Sequence, residues 1–296
     1  MLDETGIRQL ARELGVRTDY AEKDYVNSWV LYGIYSTDFG DDLLFKGGTA
    51  LSKLYFPETW RFSEDLDFTV DGRFTGTEAE LRHALNVTSR RSGIEFSLDE
   101  YYESDDGGYP THYVEASIQY RAMFDHKNTT ELNVMGDEVV AGRPVERTHD
   151  VHDVTPFSLR AYSLAEIFAE KLRTIYQRSR GRDYYDLYRI VAGDATPPTE
   201  TIASIFEAKR AHAPAESYHS SPDPNQGLPD AVQDRIADDW ETTVPELVAD
   251  PPSLETVRER LDAYLIETLS PRVEGSSRKK PVRGLDRIET TKDPHT

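Results

Sequence analysis

Residues 46–70 read KGGTALSKLYFPETWRFSEDLDFTV, and this stretch decides the fold. Asp65, Asp67 and Thr69 alternate with Leu66, Phe68 and Val70, the period of two expected of a strand with one packed face and one polar face. Both aspartates then share a face, with Cα atoms about 7 Å apart at roughly 3.3 Å rise per residue, so their carboxylates can converge on a divalent metal. Upstream, Leu43, Leu44 and Phe45 read as a short buried strand and Gly47–Gly48 as a tight turn, with Thr49 the N-cap of a helix ending before Pro57. A strand, a glycine turn and a helix start present free amides to a phosphate. The stretch therefore reads as a nucleotide site. It is not a P-loop, because GGTALSK lacks the Gly-Lys-Ser/Thr ending that aims a lysine at phosphates.

Outward from this stretch, 296 residues suffice for two domains. The chain has 54 acidic and 34 basic residues, a formal charge of -20, which would repel nucleic acid if spread evenly. Arginine dominates the bases, and an acidic, lysine-poor surface is expected of a halophilic protein, since the Debye length falls to about 3 Å at 1 M salt. An acidic mimic of nucleic acid is the alternative. Cysteine is absent, which excludes disulfides, thiol catalysis and thiolate metal sites and leaves oxygen and imidazole ligands. No leader and no membrane-spanning apolar run is read, so a cytoplasmic location is expected.

The flanking patterns predict an α+β chain. Residues 4–35 read as helical, with Ile7, Leu10, Ala11 and Leu14 on one apolar face, a break at Gly15, and a second segment from Tyr25 to Tyr35. A helix over 78–92 closed by Gly93, a strand over 94–101 and an acidic turn at 103–108 follow. Alternation from His112 to Ala122 predicts a longer strand, Lys127–Asn128 a hairpin turn, and 130–134 the returning strand. On that strand Glu131 and Asn133 share a face, which makes Glu131 the candidate third carboxylate; a cross-strand pair with Arg121 is its other reading. His149–Asp150 and His152–Asp153 fall in a charged loop and are not read as a metal cluster.

Ser163-Leu-Ala-Glu166 is a capping-box pattern opening a helix to about Gln177, and another helix starts at Asp183. Further helices are expected over 199–211, 229–239 and 253–269, with a connecting loop at 212–228. Periodicity ends at Pro271. Residues 271–296 hold seven basic and four acidic residues, a local +3, and read as a disordered tail that either contacts phosphate or is simply solvated. The expected organisation is a mixed-sheet domain over 1–155, a helical domain over 156–270, and this tail.

Taken in order, GGTALSK (47–53), RFSEDLDF (61–68), ELN (131–133), AEKLRTIYQR (169–178) and RDYYDL (182–187) resemble the AbiEii/AbiGii toxin family of nucleotidyltransferases. The resemblance implies a polymerase-β-like nucleotidyltransferase fold, a helical second domain and a separate, adjacently encoded antitoxin. It also implies GTP binding, or transfer of a nucleotide from GTP or a pyrimidine NTP to the acceptor end of tRNA. It assigns Gly48 and Thr49 to the nucleotide's terminal phosphates, Asp65 and Asp67 to metal, and Lys171 and Asp183 to residues needed for activity, with Arg182 and Asp186 beside them. The third carboxylate is Glu131 instead of the commoner aspartate.

The chemistry requires such residues. Two metal ions about 3.5–4 Å apart activate the attacking hydroxyl and screen the leaving pyrophosphate, and magnesium or manganese suits an all-oxygen site of Asp65, Asp67 and Glu131. Gly47, Gly48, Thr49, Lys53, Arg61, Ser63 and Lys171 are the expected nucleotide contacts, the cations covering charge left by the metals. Arg173, Arg178, Arg180 and Arg182 form a basic cluster that reads as a polynucleotide contact or as a salt-bridged surface. The functional expectation is metal-dependent transfer of a nucleoside monophosphate to RNA. Transfer to a protein or small molecule, and a GTP-binding regulator without transfer, are the alternatives.

Overall fold

The computed structural model describes residues 1–57, 61–104, 113–212 and 228–269. Strand β1 (Leu43–Lys46) is buried throughout and pairs antiparallel with β2 (Leu66–Val70), placing Lys46 opposite Asp67. Five further strands extend this pair: β3 (Glu95–Ser104), β4 (Tyr113–Arg121), β5 (Lys127–Met135), β6 (Val145–His149) and β7 (Phe157–Ala161). They form one mixed sheet of order β3-β4-β5-β2-β1-β7-β6, in which β2–β5 and β1–β7 are parallel. The aspartate strand thus lies mid-sheet. Leu66, Phe68 and Val70 point into the core while Asp67 stays half-buried on the other face, as the alternation predicts.

Helices α1 (Glu4–Leu14), α2 (Thr18–Tyr35) and α4 (Glu78–Ser92) flank the sheet. Their ends follow local chemistry: Asp3 accepts from Gly6 N at 2.8 Å, Gly15 closes α1 in the left-handed conformation, and Thr77 with Glu80 forms a full capping box. Helix α3 (Gly47–Ala50) starts at Gly47 and widens into a π turn over Leu51–Tyr55. Thr49 is therefore inside the first turn and does not cap it. The second part of the chain is helical: α5 (Leu164–Arg178), α6 (Gly181–Ala192), α7 (Thr199–His212), α8 (Asp230–Leu247) and α9 (Leu254–Leu269). A single cluster of buried apolar side chains runs through both parts, from Ile7 to Leu265.

Three local expectations are corrected. Lys127 and Asn128 are already strand, paired with Arg121 and Tyr120, so the hairpin turns over 122–126, where Asp125 takes a φ of 50°. The charged segment holding His149 is strand β6, a sheet edge. Ser163 caps α5, but the Glu166 carboxylate does not return to it; it accepts from the backbone of Ala141 and Gly142 and pairs with Lys209. Of the acidic turn expected over 103–108, Glu103 and Ser104 are still strand β3; the rest of it, the strand start at His112, most of the 212–228 loop and the tail at 271–296 lie outside the described residues. Among the described residues no helix is long and apolar enough to cross a membrane.

Candidate active site

A cleft of about 240 Å³ opens between the sheet and the helices. One wall is built by Lys46, Gly47, Gly48, Arg61, Ser63, Asp65 and Asp67. Gly47 has a φ of 76°, and a Cβ there would sit 2.6 Å from Asp67 Oδ2. A Cβ on Gly48 would collide with the Arg61 guanidinium and lie 2.9 Å from Ser63 Oγ. The glycines are needed because a carboxylate and a guanidinium press directly on the turn. Thr49 Oγ1 donates to the Asp65 carbonyl at 2.6 Å, clipping α3 to the start of β2.

Asp65 and Asp67 both line the cleft. Burial, and next the neighbouring Asp67 charge, push the Asp65 carboxyl above its ordinary value, while Arg182 and Lys23 oppose the rise. Two half-buried carboxylates at the start of one strand fit a hard divalent cation, with water completing its octahedron. Asn133, opposite Asp67 across the parallel ladder, donates to Asp67 Oδ1 at 3.1 Å and accepts from Tyr113 Oη at 3.2 Å. Glu131 does not join them: it accepts from its cross-strand partner Ser117 at 3.0 Å and does not line the cleft. Among the described residues, no three carboxylates or imidazoles are grouped to hold a metal.

The opposite wall is an ion-pair chain built by α5 and α6. Lys171 Nζ lies 3.0 Å from Asp183 Oδ1 and 2.7 Å from Asp186 Oδ2. Asp186 also takes the Arg61 fork, at 2.6 and 2.7 Å, and Asp183 takes Arg178 Nε at 2.8 Å. Burial alone would push both carboxyls up. At Asp183 the Lys171 and Arg178 charges outweigh it and hold the carboxyl well below the usual range, and at Asp186 those of Arg61 and Lys171 outweigh it and lower the carboxyl. Three cations share two carboxylates, which leaves the chain one positive charge in excess.

A second buried network forms the cleft floor, and sequence reasoning missed it. Lys46 pairs with Glu138 and, at 3.0 Å, with Glu170; Lys209 reaches Glu166 at 2.8 Å, Glu170 at 3.1 Å and the Val139 carbonyl at 2.8 Å. Tyr162 lies beneath both ammonium groups. The available signal was Lys46 itself, a cation ending an otherwise apolar buried strand, which requires an internal partner.

Of the expected nucleotide contacts, Gly47, Gly48, Arg61, Ser63 and Lys171 line the cleft. Thr49 is spent on the Asp65 carbonyl. Lys53 does not reach the cleft: its ammonium is buried against Asp24 Oδ1 (2.8 Å), the Asp24 carbonyl (2.9 Å) and Ser28 Oγ (2.9 Å). The arginine cluster divides. Arg173, Arg178 and Arg182 line the cleft, whereas Arg180 pairs outside it with Asp239 at 3.0 Å.

Residues 29–267 match the family described as nucleotidyl transferase AbiEii toxin, type IV TA system. No curated protein matches the chain. Among solved structures, the fold is similar to that of MenT4, a nucleotidyltransferase toxin of Mycobacterium tuberculosis, with a TM-score of 0.65 and 18% identity over 92% of this chain and 91% of that one. At that identity the likeness concerns the fold. The family match covers both walls of the cleft, from within α2 to within α9, and the chain belongs to the AbiEii nucleotidyltransferase toxins of type IV toxin–antitoxin systems.

Proposed function

We propose that the enzyme transfers a nucleoside monophosphate from an NTP to RNA, at the 3′ end of tRNA, using magnesium or manganese held by Asp65 and Asp67. One observation carries this reading: the aspartate pair, the glycine turn and a cationic wall converge on one cleft. A divalent ion there would activate the acceptor hydroxyl and screen the leaving pyrophosphate. Gly47 and Gly48 bring backbone close to the phosphates, with Arg61 over the turn. Lys171 retains a donor beyond the two it gives to Asp183 and Asp186, and that donor meets triphosphate charge. The expected division at 155/156 falls before β7, a strand of the sheet; one wall comes from the glycine turn and β2 and the other from α5 and α6, so neither binds substrate alone. The enzyme works in the cytoplasm and is opposed by an antitoxin encoded beside it.

The test combines the full chain with a tRNA pool, Mg²⁺ and each NTP labelled at the α-phosphate. RNA becomes labelled, and Asp67→Ala abolishes labelling while far-UV circular dichroism is unchanged. No labelled RNA with any NTP would remove RNA as the acceptor. A second reading, transfer to a protein hydroxyl, is favoured by the net charge of -20, which opposes a polyanion; label migrating with protein would support it.

A further inference from the structure

Among the described residues six cations line the cleft: Lys46, Arg61, Lys171, Arg173, Arg178 and Arg182. Five are committed. Lys46 holds Glu138 and Glu170, Arg61 holds Asp186, Lys171 holds Asp183 and Asp186, Arg178 holds Asp183, and Arg173 bonds Gln177 at 2.8 Å. Arg182 alone has no hydrogen bond or ion pair among the described residues, in a chain where acids outnumber bases. Its neighbours on α6, Asp183 and Asp186, turn inward to other partners and leave it half-buried at the cleft. Arg182 and Asp65 line the same cleft, and the Arg182 charge pulls the Asp65 carboxyl down against burial and Asp67.

We infer that Arg182 is a catalytic residue whose guanidinium meets the transferred α-phosphoryl group from the side of the cleft opposite Asp65. The inference rests on the transfer proposed above. In that step the acceptor oxygen bonds to the α-phosphorus and the bond from phosphorus to the α,β-bridging oxygen breaks. Pyrophosphate leaves with the electron pair, and the hydroxyl proton passes to solvent. Charge builds on the phosphoryl oxygens held over Asp65 and Asp67. A guanidinium with no partner among the described residues can meet that charge without breaking a pair, whereas Arg178 or Lys171 would have to leave a buried carboxylate.

Full-length Arg182→Ala, Arg182→Lys and, as the neighbouring control outside the cleft, Arg180→Ala are compared in the labelling assay. Affinity for an α,β-methylene NTP is measured by calorimetry. Arg182→Ala lowers kcat by about 10²-fold or more, the scale of removing one preorganised donor at a developing oxyanion. It leaves the analogue's Kd and the acceptor KM unchanged. Arg182→Lys restores part of kcat, and Arg180→Ala behaves as wild type. An unchanged kcat overturns the assignment. So does a loss confined to the acceptor KM, which would make Arg182 an RNA contact, or one confined to the analogue's Kd. If the wild type transfers nothing to any acceptor, the proposed activity and this inference fall together; if it transfers and Arg182→Ala transfers equally fast, only the arginine assignment falls.

Discussion

Gly47 carries two constraints in one residue: a positive φ of 76° and an Asp67 carboxylate 2.6 Å from where its Cβ would be. Alanine there costs roughly 1–2 kcal/mol for the left-handed backbone and in addition displaces Asp67. Gly47→Ala is therefore expected to lower Tm by a few degrees while removing most transfer activity. Thermal melting beside the labelling assay checks this, and wild-type activity in the variant would show that the position of Asp67 does not matter. At this scale the sequence was most legible where chemistry is local. The alternation around Asp65 and Asp67, and the glycines before it, specify their own geometry. Lys53 was not legible, because the partner that draws it inward, Asp24, lies on α2 and leaves no mark near the turn. For Glu131 alternation gives the face but not the neighbour: on β5 it accepts from Ser117 across the sheet, while Asn133 stands beside Asp67.

Helix α6 is fastened to the glycine turn by Asp186, which holds Arg61 and Lys171 at once. Removing one member of a buried ion pair costs roughly 3–5 kcal/mol, because the partner's charge is left uncompensated, whereas replacing both by apolar groups is often neutral. Asp186→Asn should thus lower Tm and weaken nucleotide binding. The double variant Arg61→Met/Asp186→Leu should recover Tm without recovering binding. Melting curves and calorimetry with an NTP analogue separate the two effects, and a double variant that also regains affinity would deny Arg61 and Asp186 any part in the phosphate site. Most elements were legible because their ends are written locally, as at Thr77 and Gly93 or Asp3 and Gly15. Strand β6 was not. It is a short edge strand with Glu146, Arg147 and Thr148 exposed in succession, so no alternation marks it, and its pairing with β7 supplies the regularity that its sequence lacks.

Strand order belongs to the whole molecule, and it was not legible, since the parallel pairings β2–β5 and β1–β7 join segments far apart in the chain. Charge distribution is likewise a property of the whole. The cleft gathers cations into buried pairs, while the chain carries a net charge of -20, so the acidic excess faces solvent and repels itself. Raising ionic strength from 0.15 to 1 M shortens the Debye length from about 8 to about 3 Å. That screens surface repulsion but barely reaches pairs such as Lys171–Asp183, where the side chains are 9% and 1% exposed. Added KCl should therefore raise Tm. Exposed pairs such as Arg8–Glu4 and Arg82–Glu78 oppose the trend only slightly, each contributing about 0.3–0.5 kcal/mol. Chloride is the anion to use, because sulfate stabilises by exclusion from any protein surface. A Tm that is flat or falling across this range would mean that acidic and basic side chains are interspersed well enough for attraction to balance repulsion, and would remove the charge argument for a protein adapted to concentrated salt.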